Sequence, residues 1–252
     1  MRSPHILEKD LTVQGRAFSA HQTLLTLPIG VKKFKERTLF TVASAFALAS
    51  YTEEQIRAQH PQGQNSKRGN VPPGIQRLEG NTRLLRSTAL DVQNALRALV
   101  KLPFVSSVTG HESARILGVA QSLLNASEYQ WGLSGLSTFL KGFQTEAPLS
   151  LQELWTFPVA LKLALLEEIL AQAAVAFSNL PASDAALNAS LFCMQEISLV
   201  DWPNLLEPLV PFEDILRQDP SDTYTRMDFE SRDLYRIAVA RIAARSPMNE
   251  VG

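Results

Sequence analysis

Three observations predict an all-α chain, a multi-helix bundle or irregular helical array of about eight to ten helices with no sheet. Apolar residues recur at three- and four-residue steps through most of the sequence. No run of strict apolar/polar alternation longer than four residues carries strand-forming chemistry. Clusters of proline, glycine and charge then cut the periodic stretches into pieces of helix length joined by short connections.

The longest piece, Pro148 to Phe177, organises the rest. Ser150 is placed to cap the free amides at its start, and Glu153 three residues later is placed to reach back, which makes a capping box. One apolar stripe runs through Leu151, Leu154, Trp155, Pro158, Leu161, Leu165, Leu166, Ile169, Ala173 and Phe177, and a second through Val159, Leu163, Leu170 and Ala174. A helix apolar on two sides must be surrounded by other helices. Pro158 removes one donor and is expected to kink it.

Residues 1–30 are weakly patterned and read as an arm; residues 31–252 read as one helical domain with a loop at 60–73. The first helix of that domain, Val31 to Gln59, turns Phe34, Thr38, Val42, Ala45, Phe46 and Ala49 inward. Gly74 to Leu102 is a second long helix, weakened at Gly80, on which Arg77, Arg83, Arg86 and Arg97 read as a solvated face. Pro103 ends it. Glu112 to Asn125 and Leu133 to Phe143 follow as shorter amphipathic helices. Beyond Pro181, Ser183 or Asp184 caps a helix reaching Val200. Asp201-Trp202-Pro203 then combines a cap, an apolar anchor and a first-turn proline. A helix broken at Pro208 and Pro211 leads to the turn Asp219 to Met227. Asp228 or Ser231 caps the last helix, with Leu234, Tyr235, Ala238, Val239 and Ile242 expected inward and Arg241 and Arg245 near its negative end.

Composition narrows the function classes. The chain has 252 residues, 45% of them hydrophobic, enough for a substantial core, and a formal net charge of -1. That balance supplies no overall field to attract nucleic acid. The single cysteine, Cys193, lies in an apolar run and reads as a core residue. Glu167 and Glu168 interrupt the longest apolar stretch, so no segment has the roughly 18 to 20 apolar residues of a membrane span. Thr38 to Ser50 imitates a signal peptide but follows too long a leader, and reads as ordinary helix. His111 has no second ligand at metal spacing, and Lys67-Arg68-Gly69 lacks the strand and the GK[ST] ending of a phosphate loop.

Two stretches carry a resemblance. Pro148 to Trp155, PLSLQELW, runs on through Pro158 to LALLE at 163–167. Ile215 to Arg236 contains ILRQDP, then YTRMDFESRDLYR from Tyr224. Together they resemble the bacterial cyclic β-1,2-glucan synthase family, large membrane glycosyltransferases with a phosphorylase-like module. The likeness covers roughly residues 110 to 243, with Leu191 to Trp202 between the two motifs and Ala114 to Gln144 more loosely similar. The family's tyrosine-rich LPxGYYRxLP stretch has only Val71-Pro72-Pro73-Gly74 in its place.

The family's glycosyltransferase residues and phosphorylase carboxylates lie outside the resembling motifs. No catalytic, cofactor-binding or metal residue is therefore carried over. The resemblance implies a part or relative of a glycosyltransferase. This would be a non-catalytic helical accessory region that positions modules or docks to a membrane glycosyltransferase, in the cytoplasm at the inner face of the inner membrane. Trp155, Arg226, Asp228 and Arg232 are the positions for an interface or a sugar contact. The same motif also reads structurally: Asp228 as a cap, Asp233 and Arg236 as an i,i+3 pair, and Met227 with Phe229 as a staple at the helix entry. Two other classes remain open. One is an oligosaccharide-binding module using Trp131, Trp155 and Trp202 as stacking platforms. The other is an all-α enzyme acting on carbohydrate through Glu153, Asp228 and Glu230.

Overall fold

The computed structural model describes residues 11–17, 23–24, 30–59, 73–106, 112–129, 132–176 and 183–246. Twelve α-helices are present among them, nine of at least seven residues, and the chain is all-α as its periodicity predicts. In chain order they are α1 (11–17), α2 (Val31–Gln59), α3 (Pro73–Glu79), α4 (Thr82–Leu99), α5 (Arg115–Ala126), α6 (Leu133–Gln144), α7 (Leu151–Ala176), α8 (Ser183–Ser198), α9 (Trp202–Leu206), α10 (Glu213–Leu216), α11 (Thr223–Arg226) and α12 (Phe229–Ala243). A 3-10 turn, Glu207–Leu209, joins α9 to the segment before α10. His111, Trp131 and most of the expected loop at 60–73 lie outside the described residues.

One departure from the expected absence of sheet is a small three-stranded sheet in the order β1 (Thr23–Leu24), β2 (Phe104–Ser106), β3 (Glu112–Ala114). Strands β2 and β3 run antiparallel, with Phe104 opposite Ala114 and Ser106 opposite Glu112. Two three-residue strands are too short for alternation to register, so the expected helix from Glu112 instead begins at Arg115.

The single domain read over 31–252 resolves by contact into two compact units, with cuts inside α5 and, between Phe157 and Pro158, inside α7. The first unit holds α1, the end of α5, α6, the start of α7 and the described residues from Val200 onward. The second holds α2 to α4, the strands β2 and β3, most of α7, and α8.

In the second unit α2 packs along α4, and α3 reaches both α2 and α8. The expected inner face of α2 is observed: Phe34, Val42, Ala45 and Ala49 are buried, and Phe34 meets Phe104 edge-on at 5.3 Å between centroids. Its buried Thr38 and Thr52 satisfy their hydroxyls on the carbonyls of Phe34 (2.9 Å) and Leu48 (2.8 Å), one turn back. Gly80 and Asn81 break the second long helix where glycine weakens it, dividing α3 from α4. Leu187, Leu191, Met194 and Ile197 bury one face of α8, and Cys193 is buried beside them. On the rim, Arg86 bonds Glu53 at 3.1 Å and Lys162 meets Asp91 at 2.5 Å. Among the described residues no helix is long and apolar enough to cross a membrane.

Part of the expected arm in the first unit is helix: Leu11 of α1 is buried, and Arg16 donates to Thr145 Oγ1 at 3.2 Å. The two backbones approach through glycine. A Cβ on Gly15 would stand 2.5 Å from the Phe139 carbonyl oxygen, and one on Gly142 would stand 2.5 Å from that of Thr12. Backbone cannot yield as a flexible side chain does, so Gly142→Ala is expected to destabilise the chain by about 1–3 kcal/mol, the usual cost of overpacking. A urea midpoint indistinguishable from the parent would show that α1 and α6 do not make this crossing.

Candidate functional site

The segment of the first unit that leads to α12 is built from pieces too short to hold themselves. Helices α9, α10 and α11 have five, four and four residues. Isolated helices of that length do not persist in water, so side chains must fix them. Asp201 caps α9 by accepting from the Asn204 amide at 3.4 Å, and Pro203 follows in the first turn. Asp219 accepts from the amides of Ser221 (3.1 Å), Thr223 (3.0 Å) and Tyr224 (3.2 Å), and Asp222 turns the chain with φ of 52°. Asp228 caps α12 by accepting from the Ser231 amide at 2.7 Å. The Ser221 hydroxyl, which reaches both Asp219 oxygens at 2.9 and 2.8 Å, and then these amides favour the ionised form of Asp219, as the Ser231 amide does for Asp228, and both carboxyls are held below the usual range.

What joins these pieces is a cluster of buried charge. The side chain of Arg236, on α12, has 0% exposure and no contact with water. Its Nε donates to Glu213 Oε2 at 2.8 Å, and its Nη2 donates to Glu207 Oε1. Arg232, one turn earlier, forks onto Glu207 (2.6 Å and 3.1 Å) and donates to the Met227 carbonyl. Arg217 meets the other oxygen of Glu213 at 2.9 Å. Tyr224 donates its hydroxyl to Glu213 Oε2 at 2.9 Å. Asp233 stands 3.9 Å from Arg236 Nη1 and accepts the indole N–H of Trp155 at 3.0 Å. Phe229 completes the shell, edge-on to Trp155 at 5.8 Å and 5.4 Å from the Arg236 guanidinium. Three arginines thus face three carboxylates, and the cluster is neutral as a whole.

Burial alone would raise the Glu207 carboxyl, but hydrogen bonds from Arg232 and Arg236 and their charges outweigh it and hold the group below its ordinary range. The Tyr224 phenol is pushed well above its ordinary value by burial and by its bond to the Glu213 carboxylate. Neither group is poised to exchange a proton near neutral pH. In the second unit Glu167 shifts the opposite way. Burial raises its carboxyl, and Arg37 at 3.3 Å with Gln121 at 3.2 Å offsets part of the rise.

The four positions singled out in the sequence have different fates. Arg232 is an internal strut of the cluster. Trp155 is half-buried, and its indole N–H is used on Asp233. Arg226 is exposed and pairs with Asp222 one turn back at 3.3 Å. Asp228 is exposed and occupied as a cap. None of the four lines the nearby hollow of about 390 Å³, whose walls include Leu216, Tyr224, Met227 and Tyr235, with Ser221 and Thr223 at its polar side. Glu153 is fully buried in the expected capping box, bonding the Ser150 amide at 3.0 Å while its own amide donates to Ser150 Oγ at 3.3 Å. Trp202 is half-buried and edge-on to Phe157 at 6.3 Å.

The final helix corrects its expected inner face. Leu234, Tyr235 and Ile242 are 68%, 52% and 70% exposed, Ala238 is exposed, and Val239 is half-buried. The side that turns inward is the one bearing Arg232, Asp233 and Arg236. Apolar periodicity points to the wrong face because charge, not hydrocarbon, packs there. The available signal was the 25- and 23-residue-distant acids Glu207 and Glu213 among prolines and leucines, to which no pattern assigns a partner. Among the described residues no cluster of three or more His, Cys, Asp or Glu side chains is arranged to hold a metal ion. No family model matches this chain, and no curated protein matches it either.

Removing Arg236 would strand Glu207 and Glu213 away from water. Arg236→Ala is expected to cost about 3–5 kcal/mol in urea unfolding, the range for breaking a buried ion pair; a loss under about 1 kcal/mol would place the guanidinium in solvent. The pH dependence follows from Glu207. With its folded pKa lowered, its contribution is complete above the ordinary carboxylate value of 4.5 and disappears as pH falls through the lower folded value. A Glu207→Gln variant should therefore be less stable at neutral pH and show a shallower acid limb. Acid limbs that run parallel in the two proteins would contradict this assignment.

Proposed function

We propose that this chain is a non-catalytic helical accessory region of a cyclic β-1,2-glucan synthase-like carbohydrate-active enzyme, positioning modules or docking to a membrane glycosyltransferase at the inner face of the inner membrane. The observation that supports a structural rather than catalytic part is the internal use of the resembling motif. Tyr224, Asp228, Arg232, Asp233 and Arg236 are committed to one another, to caps, or to Glu207 and Glu213. Glycoside cleavage ordinarily uses two carboxyl groups flanking the scissile bond with separate proton roles. The enzyme alternative would draw on Glu153, Asp228 and Glu230; the first two already bond backbone amides at helix starts, and Glu230 is exposed in the first turn of α12.

One feature favours the oligosaccharide-binding reading as a second choice. Tyr235 is half exposed at the edge of the hollow beside the Ser221 and Thr223 hydroxyls, an aromatic face next to polar groups. Its aspartate, Asp219, is already bonded to three amides, which leaves that hollow few polar atoms to read a sugar with.

Purified chain incubated with UDP-glucose and divalent metal, and separately with β-1,2-glucan, is expected to release neither nucleotide nor reducing sugar. It is expected to be retained by an immobilised cyclic β-1,2-glucan synthase. Turnover abolished by Glu153→Gln or Asp228→Asn would overturn the accessory reading in favour of the enzyme. Glucan binding lost in Tyr235→Ala, without retention by the synthase, would favour the sugar module.

A further inference from the structure

Helix α2 carries charges at the wrong ends. Lys32 and Lys33 stand in its first turn, where the aligned peptide dipoles are positive, and that turn contains no acid. Glu54 stands near its negative end, exposed and with no ion pair among the described residues, although Arg57 in the last turn suits that end. The placements of Lys32, Lys33 and Glu54 weaken an isolated helix.

Between these ends runs an outward ridge at helical spacing. Phe40 is 74% exposed and Tyr51 46% exposed, while Ala43, Ser44 and Ala47 between them are exposed or half-exposed. A 74% exposed phenylalanine beside small side chains is a knob next to a hole. Alanine and serine let a second helix backbone come close.

From this ridge we propose that α2 is a homodimer interface, in which the α2 helices of two copies of this chain pack antiparallel about a two-fold axis between Ala43 and Ser44. In that arrangement Ala43 of each copy meets Ser44 of the other, Phe40 of each sits over the other's Ala47, and Lys33 of each lies beside the other's Glu54. Each helix's positive end then adjoins the negative end of its neighbour, so one assembly offsets the misplaced charges of Lys33 and Glu54, while Lys32 pairs with Glu36 of its own helix. The contact is isologous and closes on itself, which limits it to a dimer. Charge complementarity selects a second copy over an unrelated acidic or basic partner, because the ridge carries both signs at opposite ends.

Sedimentation equilibrium of the full chain at micromolar concentrations tests the proposal, with circular dichroism to confirm that each variant stays helical. The parent is expected to be a dimer. Phe40→Glu is expected to weaken it at least about tenfold, as for loss of a central aromatic anchor. Lys33→Glu alone should weaken it by several-fold, and Lys33→Glu combined with Glu54→Lys should recover it, since the swap restores opposite signs across the axis. A cysteine near the axis keeps the test independent of Phe40. Ala43→Cys should form a disulfide-linked dimer on oxidation, and Lys35→Cys, on another side of the helix, should not. A chain that stays monomeric throughout would overturn the proposal. So would a dimer indifferent to Phe40→Glu but broken by Leu234→Glu, which would assign the contact to the exposed face of α12.

Discussion

A guanidinium with no access to water constrains the segment from α9 to α12. Removing Arg236 from solvent is costly, and only close carboxylates offset that cost. The chain meets the requirement by drawing Glu207 from a 3-10 turn, Glu213 from the first turn of a four-residue helix, and Asp233 from the helix of Arg236 itself. None of the short segments involved has the length to define its own position, and the apolar side chains they bury, Leu206, Leu209, Val210 and Phe212 among them, make non-directional contacts that do not set register. Their geometry follows from where the arginine needs them. Such a cluster adds little net stability compared with a well-packed apolar core. What it supplies is register, because a shifted α10 or α12 would bury a charge without its partner. The caps at Asp201, Asp219 and Asp228 act to the same end by satisfying first-turn amides of α9, α11 and α12, which no helix bonds internally.

The same logic explains why the arginine- and aspartate-rich motif is a poor place to look for chemistry. Reactive carboxyls are tuned toward the working pH, whereas pairing and hydrogen bonding move Glu207, Asp219 and Asp228 away from it. Tyr224 is likewise moved out of reach, with its hydroxyl fixed as a donor. Groups in this state hold positions and do not shuttle protons. The apolar stripe of α12, with Leu234, Tyr235 and Ile242, is left facing outward.

The fold class is legible because helical periodicity is strong in the long segments. Val31–Gln59 matches its expected bounds to the residue, the capping box at Ser150 and Glu153 is present, and the second long helix breaks where Gly80 weakens it. What the sequence hides has a physical reason in each case. Strands of three residues are shorter than the alternation that would reveal them. The close crossing of α1 and α6 rests on Gly15 and Gly142 meeting in space, which no spacing along the chain encodes. The inner face of α12 is not where its stripe of leucine, tyrosine and isoleucine points, because an arginine paired over more than twenty residues takes that side instead. Of the four site positions, Asp228 is legible as a cap, whereas the inward turn of the half-buried Arg232 follows only once its distant acid is known.

The coupling between Arg236 and Glu213 tests most directly the claim that charge fixes this region. A double-mutant cycle with Arg236→Met, Glu213→Gln and the pair, each followed by urea unfolding, isolates that interaction from the separate effects of the two substitutions. If the cluster holds the short helices in register, the coupling should be favourable by more than about 1.5 kcal/mol, with the double variant more stable than either single one predicts. Additive losses, with coupling within about 0.5 kcal/mol of zero, would mean that the two groups do not depend on each other and that something else holds these helices in place.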